Sequence, residues 1–290
     1  MTNVVAVPRL FSALVDDAGL FPPEELPMAA AVARHRADAA GAHPVLTHRF
    51  LCPAGRLPQL FDTLGAADRF ALGLITDLDP RTVGETLDLL AAEPRATPAV
   101  VEGPLPSGPD GVTDSVKAAR LALAALDEVP AGVPCHVEVP LAEGWQDVLD
   151  VIAEGGRAAK VRCGGVRAEL FPDAERLAAF VHGCAVRGVP FKATAGLHHA
   201  VRYRDERTGF VHHGFLNLVL AACRVVDGGT AADAVQVLHS GDAAALAAEA
   251  RQVTPGLADA VRELFVAYGS CSTGEPLEDL LALGLIVAAG

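Results

Sequence analysis

Two lysines lie in short apolar segments of this chain, where a primary amine has an unusual opportunity for chemistry. The sequence contains three lysines, Lys117, Lys160 and Lys192, and the other twenty of its 23 basic residues are arginines. Lysine can lose its proton and attack a carbonyl carbon, whereas arginine stays protonated in proteins. The retention of two lysines in apolar segments therefore indicates a role that needs the amine.

The residues around these lysines alternate between two faces, as they do on a β-strand. Lys160 and Arg162 share one face of "AAKVRCGG", and Lys192 and Thr194 share one face of "PFKATAGL". Glu138 lies on the polar face of a third such segment, "PCHVEVP". Because the apolar faces must pack on helices, the polar faces are predicted to point into one interior volume, where both lysines, Arg162 and Glu138 would meet.

Buried charges are costly unless they are paired, so this cluster has two interpretations. In the first, nearby cations depress the pKa of each lysine, one lysine becomes a nucleophile that forms an imine, and Glu138 moves protons. In the second, the cluster is an ion-pair network that only stabilises the fold.

The elements that would position these residues repeat along the whole chain. Eight strand-like runs are each followed by a longer amphipathic segment, which predicts parallel strands with crossover helices. Eight such units favour an α/β fold of the (β/α)8 TIM-barrel type, with residues 1–290 forming a single domain. A doubly wound open sheet is the alternative, but no G-x-G-x-x-G follows the first strand. The segment from Gly228 to Ala260 predicts a helical insertion between strands 7 and 8.

Composition excludes several other classes of protein. The chain has 290 residues, 51% of them hydrophobic, and a formal net charge of −13, which disfavours a nucleic-acid partner. The first twenty residues lack the pattern of a secretory signal, and the longest apolar run is too short to span a membrane. The six cysteines are scattered and predict reduced thiols and a cytoplasmic location. A homo-oligomer is compatible with these features.

Both lysines lie in a K-x-x-x-G setting, Lys160 with Gly164 and Lys192 with Gly196. In this respect the chain resembles deoxyribose-phosphate aldolase, a family of imine-forming class I aldolases with a (β/α)8 barrel and lysines on strands six and seven. The resemblance implies that Lys160 forms the Schiff base and that Lys192 lowers its pKa. No metal and no other cofactor are expected for a reaction of this imine-forming type.

Weaker similarities to that family run in order along the chain. Asp16 in "LVDDAGL" matches its first-strand aspartate, and Glu138 matches its strand-five glutamate. Glu102 is the residue nearest to the family's catalytic aspartate after strand four. The turn "AYGSCS" contains Ser270 and Ser272 and resembles the place where the family binds a phosphate at a helix N-terminus. An ordinary helix start, with capping serines before Glu275 and Pro276, explains these residues equally well.

Several residues are candidates for substrate binding. His198 stands where the family's strand-seven motif has arginine, so the substrate is expected to differ from deoxyribose phosphate. Arg162 is then expected to hold a carboxylate or phosphate, with Thr194 beside it. His213 and Asn217 begin the next helical segment, where substrate contact, packing and capping explain them equally well.

The sequence thus predicts a barrel enzyme that binds a small anionic carbonyl compound through a lysine imine. One alternative is metal- or acid–base-assisted chemistry, in which histidines of the pairs 198–199 and 212–213 join Glu138 or Asp16 as metal ligands. A Cys–His thiol hydrolase using Cys271 is also compatible with the sequence. A third alternative is a barrel that binds a small molecule without catalysis.

Overall fold

The structure is a computed structural model, which describes residues 7–106 and 114–287. Eight parallel strands form a closed barrel in the order β1-β10-β7-β6-β5-β4-β3-β2, so the (β/α)8 prediction is confirmed and an open sheet is excluded. The barrel strands are β1 (Val15–Asp17), β2 (Leu46–Pro53), β3 (Phe70–Ile75), β4 (Ala96–Pro104), β5 (Cys135–Glu138), β6 (Ala158–Arg162), β7 (Phe191–Thr194) and β10 (Phe265–Ser270).

Helices surround the barrel and connect its strands. Their N-termini are commonly capped by acidic or hydroxyl side chains that accept backbone N–H bonds, such as Asp79, Asp114 and Asp173. The helices are α1 (Met28–Gly41), α2 (Leu57–Thr63), α3 (Pro80–Ala91), α4 (Ser115–Leu126), α5 (Trp145–Glu154), α6 (Ala174–Arg187), α7 (Phe215–Val226), α8 (Ala231–His239), α9 (Ala243–Gln252), α10 (Pro255–Leu264) and α11 (Gly274–Ala282).

The hydrophobic core lies between the barrel and this helix layer. Phe191 on β7 stacks on Phe265 of β10 at 5.0 Å between ring centroids and meets Phe180 of α6 edge-on. Val161 and Ala193, which alternate with the two lysines, are fully buried on the same side. This packing confirms the predicted orientation, because the apolar faces of β6 and β7 point outward and their polar faces point inward.

Two segments between β7 and β10 extend the simple barrel. The predicted helical insertion is confirmed, since α8, α9 and α10 follow α7 before the chain enters β10. A short antiparallel hairpin, formed by β8 (Tyr203–Arg204) and β9 (Val211–His212), precedes α7. The sequence pattern did not predict this hairpin, because its strands are only two residues long.

Candidate active site

Lys192 lies inside the barrel between two carboxylates. Its Nζ donates to Asp16 Oδ2 at 2.6 Å and to Glu102 Oε1 at 2.6 Å. Lys192, Asp16 and Glu102 are each at most 1% exposed. The contacts join β7, β1 and β4 across the barrel, so they depend on its closure.

The surroundings of Lys192 correct one expectation. Burial alone would lower the pKa of this ammonium group, but the attraction of Asp16 and Glu102 outweighs burial and raises the pKa above its usual value. The prediction that neighbouring cations depress the pKa of Lys192 is therefore wrong. The expectation considered only cations on neighbouring strands, whereas the two carboxylates reach Lys192 from strands β1 and β4 across the barrel.

The two carboxylates remain ionised in spite of their burial. Burial opposes ionisation of Glu102, yet Lys160 and Lys192 together hold its pKa well below the ordinary range. Burial likewise opposes ionisation of Asp16, whose pKa is lowered by Lys192 and by Arg49. Arg49 Nε lies 2.8 Å from Asp16 Oδ1, a contact from β2 that sequence reasoning missed.

Lys160 contacts carboxylates but is held less firmly than Lys192. Its Nζ lies 2.9 Å from Glu102 Oε2 and 3.3 Å from Glu138 Oε2. Although the first distance is short, Glu102 Oε2 accepts no aligned hydrogen bond. Glu102 therefore stands between the two lysines, with one oxygen bonded to Lys192 and the other facing Lys160.

Glu138 connects Lys160 to Arg162. The Oε1 atom of Glu138 accepts from Arg162 Nε at 3.0 Å, while its Oε2 atom faces Lys160. Strand register places Glu138 beside Lys160 and Lys160 beside Lys192. The structure thus brings together Glu138, Lys160, Arg162 and Lys192, as the alternation of polar residues predicted.

His136 is a further polar residue of the interior, and sequence reasoning gave it no role. It shares a strand face with Glu138 and is paired in register with Glu102 on β4. Burial, and then the charge of Lys192, lowers the pKa of His136 to about 3, so its imidazole is neutral. Its Nδ1 is buried without a hydrogen-bond partner.

The glycines of the two K-x-x-x-G segments pack against each other at the ends of β6 and β7. A Cβ atom on Gly164 would lie 2.7 Å from the Cα of Gly196. Gly196 has a positive φ of 75°, and a Cβ atom there would lie 2.7 Å from the carbonyl oxygen of Cys163. The repeated spacing therefore has a structural reason, since two backbones meet where side chains would clash.

A cavity of about 750 Å³ opens at the carboxyl ends of the strands, where barrel enzymes bind their substrates. Lys160, Glu138 and Arg162 border it, whereas Lys192 does not. The interior network therefore reaches the cavity through Lys160. Of the two lysines, Lys160 is the one that a bound molecule can contact.

The remaining predicted residues divide into two groups. Thr194, His198 and Ser270 border the cavity with Lys160, and the hydroxyl of Ser270 is buried without a hydrogen-bond partner. The residues that do not border it are Asp16, Lys192, His213, Asn217 and Ser272.

His213, Asn217 and Ser272 make local structural contacts. His213 Nε2 lies 2.8 Å from the carbonyl oxygen of Pro172. Asn217 Nδ2 donates to two carbonyls near the end of α8, and its Oδ1 accepts from the backbone of Arg202. Ser272 Oγ accepts from the backbone of Glu275 at the start of α11. These contacts fit the packing and capping roles considered above.

His198 lies beside a cysteine at the edge of the cavity. Its Nδ1 is 3.5 Å from Cys271 Sγ. Burial raises the pKa of Cys271 to about 11, and burial together with His212 lowers the pKa of His198 to about 4. The pair is therefore a neutral thiol and a neutral imidazole at neutral pH, which is unlike the thiolate that a nucleophilic cysteine needs.

Comparisons with known proteins identified no relative. No family model, no curated protein and no solved structure matches the chain. Among residues 7–106 and 114–287, no three His, Cys, Asp or Glu side chains form a group that could hold a metal ion. No helix in the same part of the chain is long and apolar enough to cross a membrane.

Proposed function

We propose that this protein is an aldolase-type lyase that binds a small carbonyl compound as an imine on Lys160. The observation that carries the proposal is the position of Lys160, which borders the cavity while its amine faces Glu102 and Glu138. A nucleophilic amine must lose a proton first, and Glu138, which lines the cavity and faces the amine, is placed to accept it.

The reaction can be written with the residues that surround Lys160. The neutral amine attacks the carbonyl carbon, a carbon–nitrogen bond forms, and the carbonyl oxygen leaves as water after it gains two protons. The protonated imine then accepts the electron pair of a neighbouring carbon–carbon bond as that bond breaks. A base removes the proton of the hydroxyl on the departing fragment, which leaves as an aldehyde or ketone, and Glu138 is the cavity-lining carboxylate for this step.

Lys192 acts as a fixed positive charge in this proposal. Its raised pKa keeps it protonated, and its hydrogen bonds to Asp16 and Glu102 hold its amine in the barrel interior, outside the lining of the cavity. There it keeps Glu102 ionised and adjacent to Lys160. The resemblance to deoxyribose-phosphate aldolase implies the same placement, with a strand-seven lysine beside the imine-forming lysine of strand six.

The charges of the network favour an anionic substrate. Four cations face three carboxylates, which leaves one uncompensated positive charge when His136 is neutral. These residues are Arg49, Lys160, Arg162 and Lys192 against Asp16, Glu102 and Glu138.

Borohydride trapping tests the proposal. The protein is incubated with a panel of small aldehydes and ketones, reduced, and weighed, and the modified peptide is mapped. We expect one adduct, with the mass of the carbonyl compound less one oxygen atom, on Lys160. Lys160→Arg should abolish it, whereas Lys117→Arg, which changes the exposed lysine of α4, should not.

A trapped carbonyl on surface amines alone would contradict the proposal. So would a Lys160→Arg protein that cleaves or condenses substrates at the wild-type rate. Tight binding of a carbonyl compound without any adduct would instead support the alternative of a barrel that binds a small molecule without catalysis.

A further inference from the structure

The guanidinium group of Arg162 borders the cavity and has hydrogen-bond donors left over for a ligand. Its Nε is bonded to Glu138, but among the described residues its two terminal nitrogens donate no hydrogen bond. The side chain is 40% exposed and borders the cavity. A guanidinium group held at Nε can therefore present its outer edge to a bound molecule.

The uncommitted edge of Arg162 matches a carboxylate. Its parallel N–H groups fit two carboxylate oxygens, and such pairs combine charge with two hydrogen bonds. The single excess positive charge of the network also matches a monoanion. Arg162 is therefore suited to bind the acid group of a substrate.

The positions of Arg162 and Lys160 on β6 limit where that acid group can be. The two residues are neighbours on one face of β6, and they contact the two oxygens of the same Glu138 carboxylate. A carbonyl carbon bonded to Lys160 therefore lies close to the guanidinium group. The geometry favours a substrate in which the carboxylate is attached directly to the carbonyl carbon.

The rest of the cavity is mainly apolar. Its walls come from the loop after β1, from strands β2 and β3, and from the segments that follow β6 and β7, and they include Phe21, Pro22, Leu51, Ile75, Leu170 and Phe210. A volume of about 750 Å³ lies in the range that holds drug-sized ligands and exceeds what a three-carbon acid needs. Apart from the hydroxyl group that the carbon–carbon cleavage requires, the apolar lining favours an apolar remainder of the substrate.

The rim of the cavity is unfavourable for a phosphate. Glu24, Asp205 and Glu275 border it with a single arginine, Arg207, and this excess of negative charge opposes a dianion more than a monoanion. Ser272 and Thr273, at the start of α11, line instead a separate groove with Glu24, Asp38 and Arg34, whose guanidinium group is already paired with Asp17 and Glu24.

We infer that the substrate is an α-keto acid with an apolar side chain, bound through an imine on Lys160 and a carboxylate contact to Arg162. This inference rests on the proposed function, because it presumes the imine. It goes further by naming the class of compound and a residue that determines specificity.

Matched carbonyl probes test the inference. The protein is trapped with borohydride in the presence of phenylpyruvate, or of phenylacetaldehyde, which has the same side chain without the carboxylate. Pyruvate and glycolaldehyde phosphate serve as the small and the phosphorylated probe. We expect the adduct on Lys160 to form at lower concentrations of phenylpyruvate than of pyruvate or the phosphate.

The decisive measurement is the ratio of phenylpyruvate trapping to phenylacetaldehyde trapping in a variant that lacks the guanidinium group of Arg162. Arg162→Gln should reduce trapping of phenylpyruvate relative to phenylacetaldehyde by about tenfold or more, the effect of losing a charge-assisted contact. Using the ratio removes any general effect of the substitution on the amine of Lys160. Arg176→Gln, a matched change on the outer face of α6, should leave the ratio unchanged.

The possible failures are distinguishable. If no probe, including the aldehyde, forms an adduct on Lys160, the proposed function itself fails. If phenylacetaldehyde is trapped but phenylpyruvate is not, or if Arg162→Gln leaves their ratio unchanged, the imine stands and the α-keto acid inference is overturned. Preferential trapping of glycolaldehyde phosphate would overturn it as well.

Discussion

At the scale of single residues, the molecule depends on charges that compensate one another inside the barrel. Lys192 is almost fully buried and its amine contacts two buried carboxylates, Asp16 on β1 and Glu102 on β4. Removing one partner of a buried ion pair is more damaging than the pair is stabilising, because the remaining charge stays buried and uncompensated.

Lys192→Met should therefore destabilise the protein strongly, by about 3–5 kcal/mol at neutral pH. The pKa values of Asp16 and Glu102 are lowered in the folded protein, so their ionisation contributes stability above the ordinary values of 3.8 and 4.5 that is lost on acidification. Without Lys192, burial is less opposed and these pKa values rise. The folded variant then takes up protons at a higher pH than the folded wild type does. The difference in unfolding free energy between variant and wild type should thus shrink as the pH falls from 7 to 5.

Urea unfolding at several pH values measures this difference. Lys117→Met is the matched control, because Lys117 is exposed on α4 and its loss should change stability by no more than about 0.5 kcal/mol. A Lys192→Met protein as stable as this control at pH 7 would show that the carboxylates are not held by Lys192.

At the scale of elements, the ends of β6 and β7 determine where the two lysines lie relative to the cavity. Gly164 and Gly196 allow the backbones after these strands to touch, and the register then places Lys160 directly beside Lys192. Larger residues would separate the strand ends and shift the loop that carries His198.

Gly164→Ala tests this contact without backbone strain, because Gly164 does not have a positive φ. The new methyl group would clash with Gly196, and overpacking of this kind costs about 1–3 kcal/mol. Gly41→Ala is the control, since a Cβ atom there meets nothing within 4 Å. Thermal and denaturant unfolding of both variants should show a loss only for Gly164→Ala, and equal stabilities would contradict the role given to the glycine contact.

At the scale of the whole molecule, closing the barrel requires the first and last strands to meet. Arg262, at the end of α10, is buried and donates to the carbonyls of Phe265, Val266 and Ala13. It therefore bonds the segment before β1 to the beginning of β10. Burial lowers the pKa of Arg262 to about 10, which leaves it charged at neutral pH.

Arg262→Met should lower the unfolding free energy by about 1–3 kcal/mol, because it leaves buried carbonyls without their donor. Arg9→Met is a matched control, since Arg9 also links the N-terminal segment to α10, through an exposed ion pair with Asp259. Exposed pairs contribute about 1 kcal/mol or less. If Arg262→Met and Arg9→Met lower the free energy of unfolding equally, the buried hydrogen bonds of Arg262 do not stabilise the closed barrel.

The sequence by itself determined the class of fold and the facing of the key side chains. Period-two alternation in "AAKVRCGG" and "PFKATAGL" is a local property, and so is the change from strand-like to helix-like periodicity that repeats eight times. These local patterns were enough to predict the barrel, the helical insertion and the meeting of Glu138, Lys160, Arg162 and Lys192.

Only the tertiary structure decided which charges compensate each other and which lysine reaches the cavity. Asp16 and Lys192 are 176 positions apart, and Glu102 and Lys192 are 90 apart. Alternation states which face a side chain is on, but the stagger of the closed barrel sets its depth and its partners across the interior. For this reason only the folded chain shows that the pKa of Lys192 is raised and that His136 is neutral. The same holds for the terminal nitrogens of Arg162, which donate to no described residue and are free to bind a ligand.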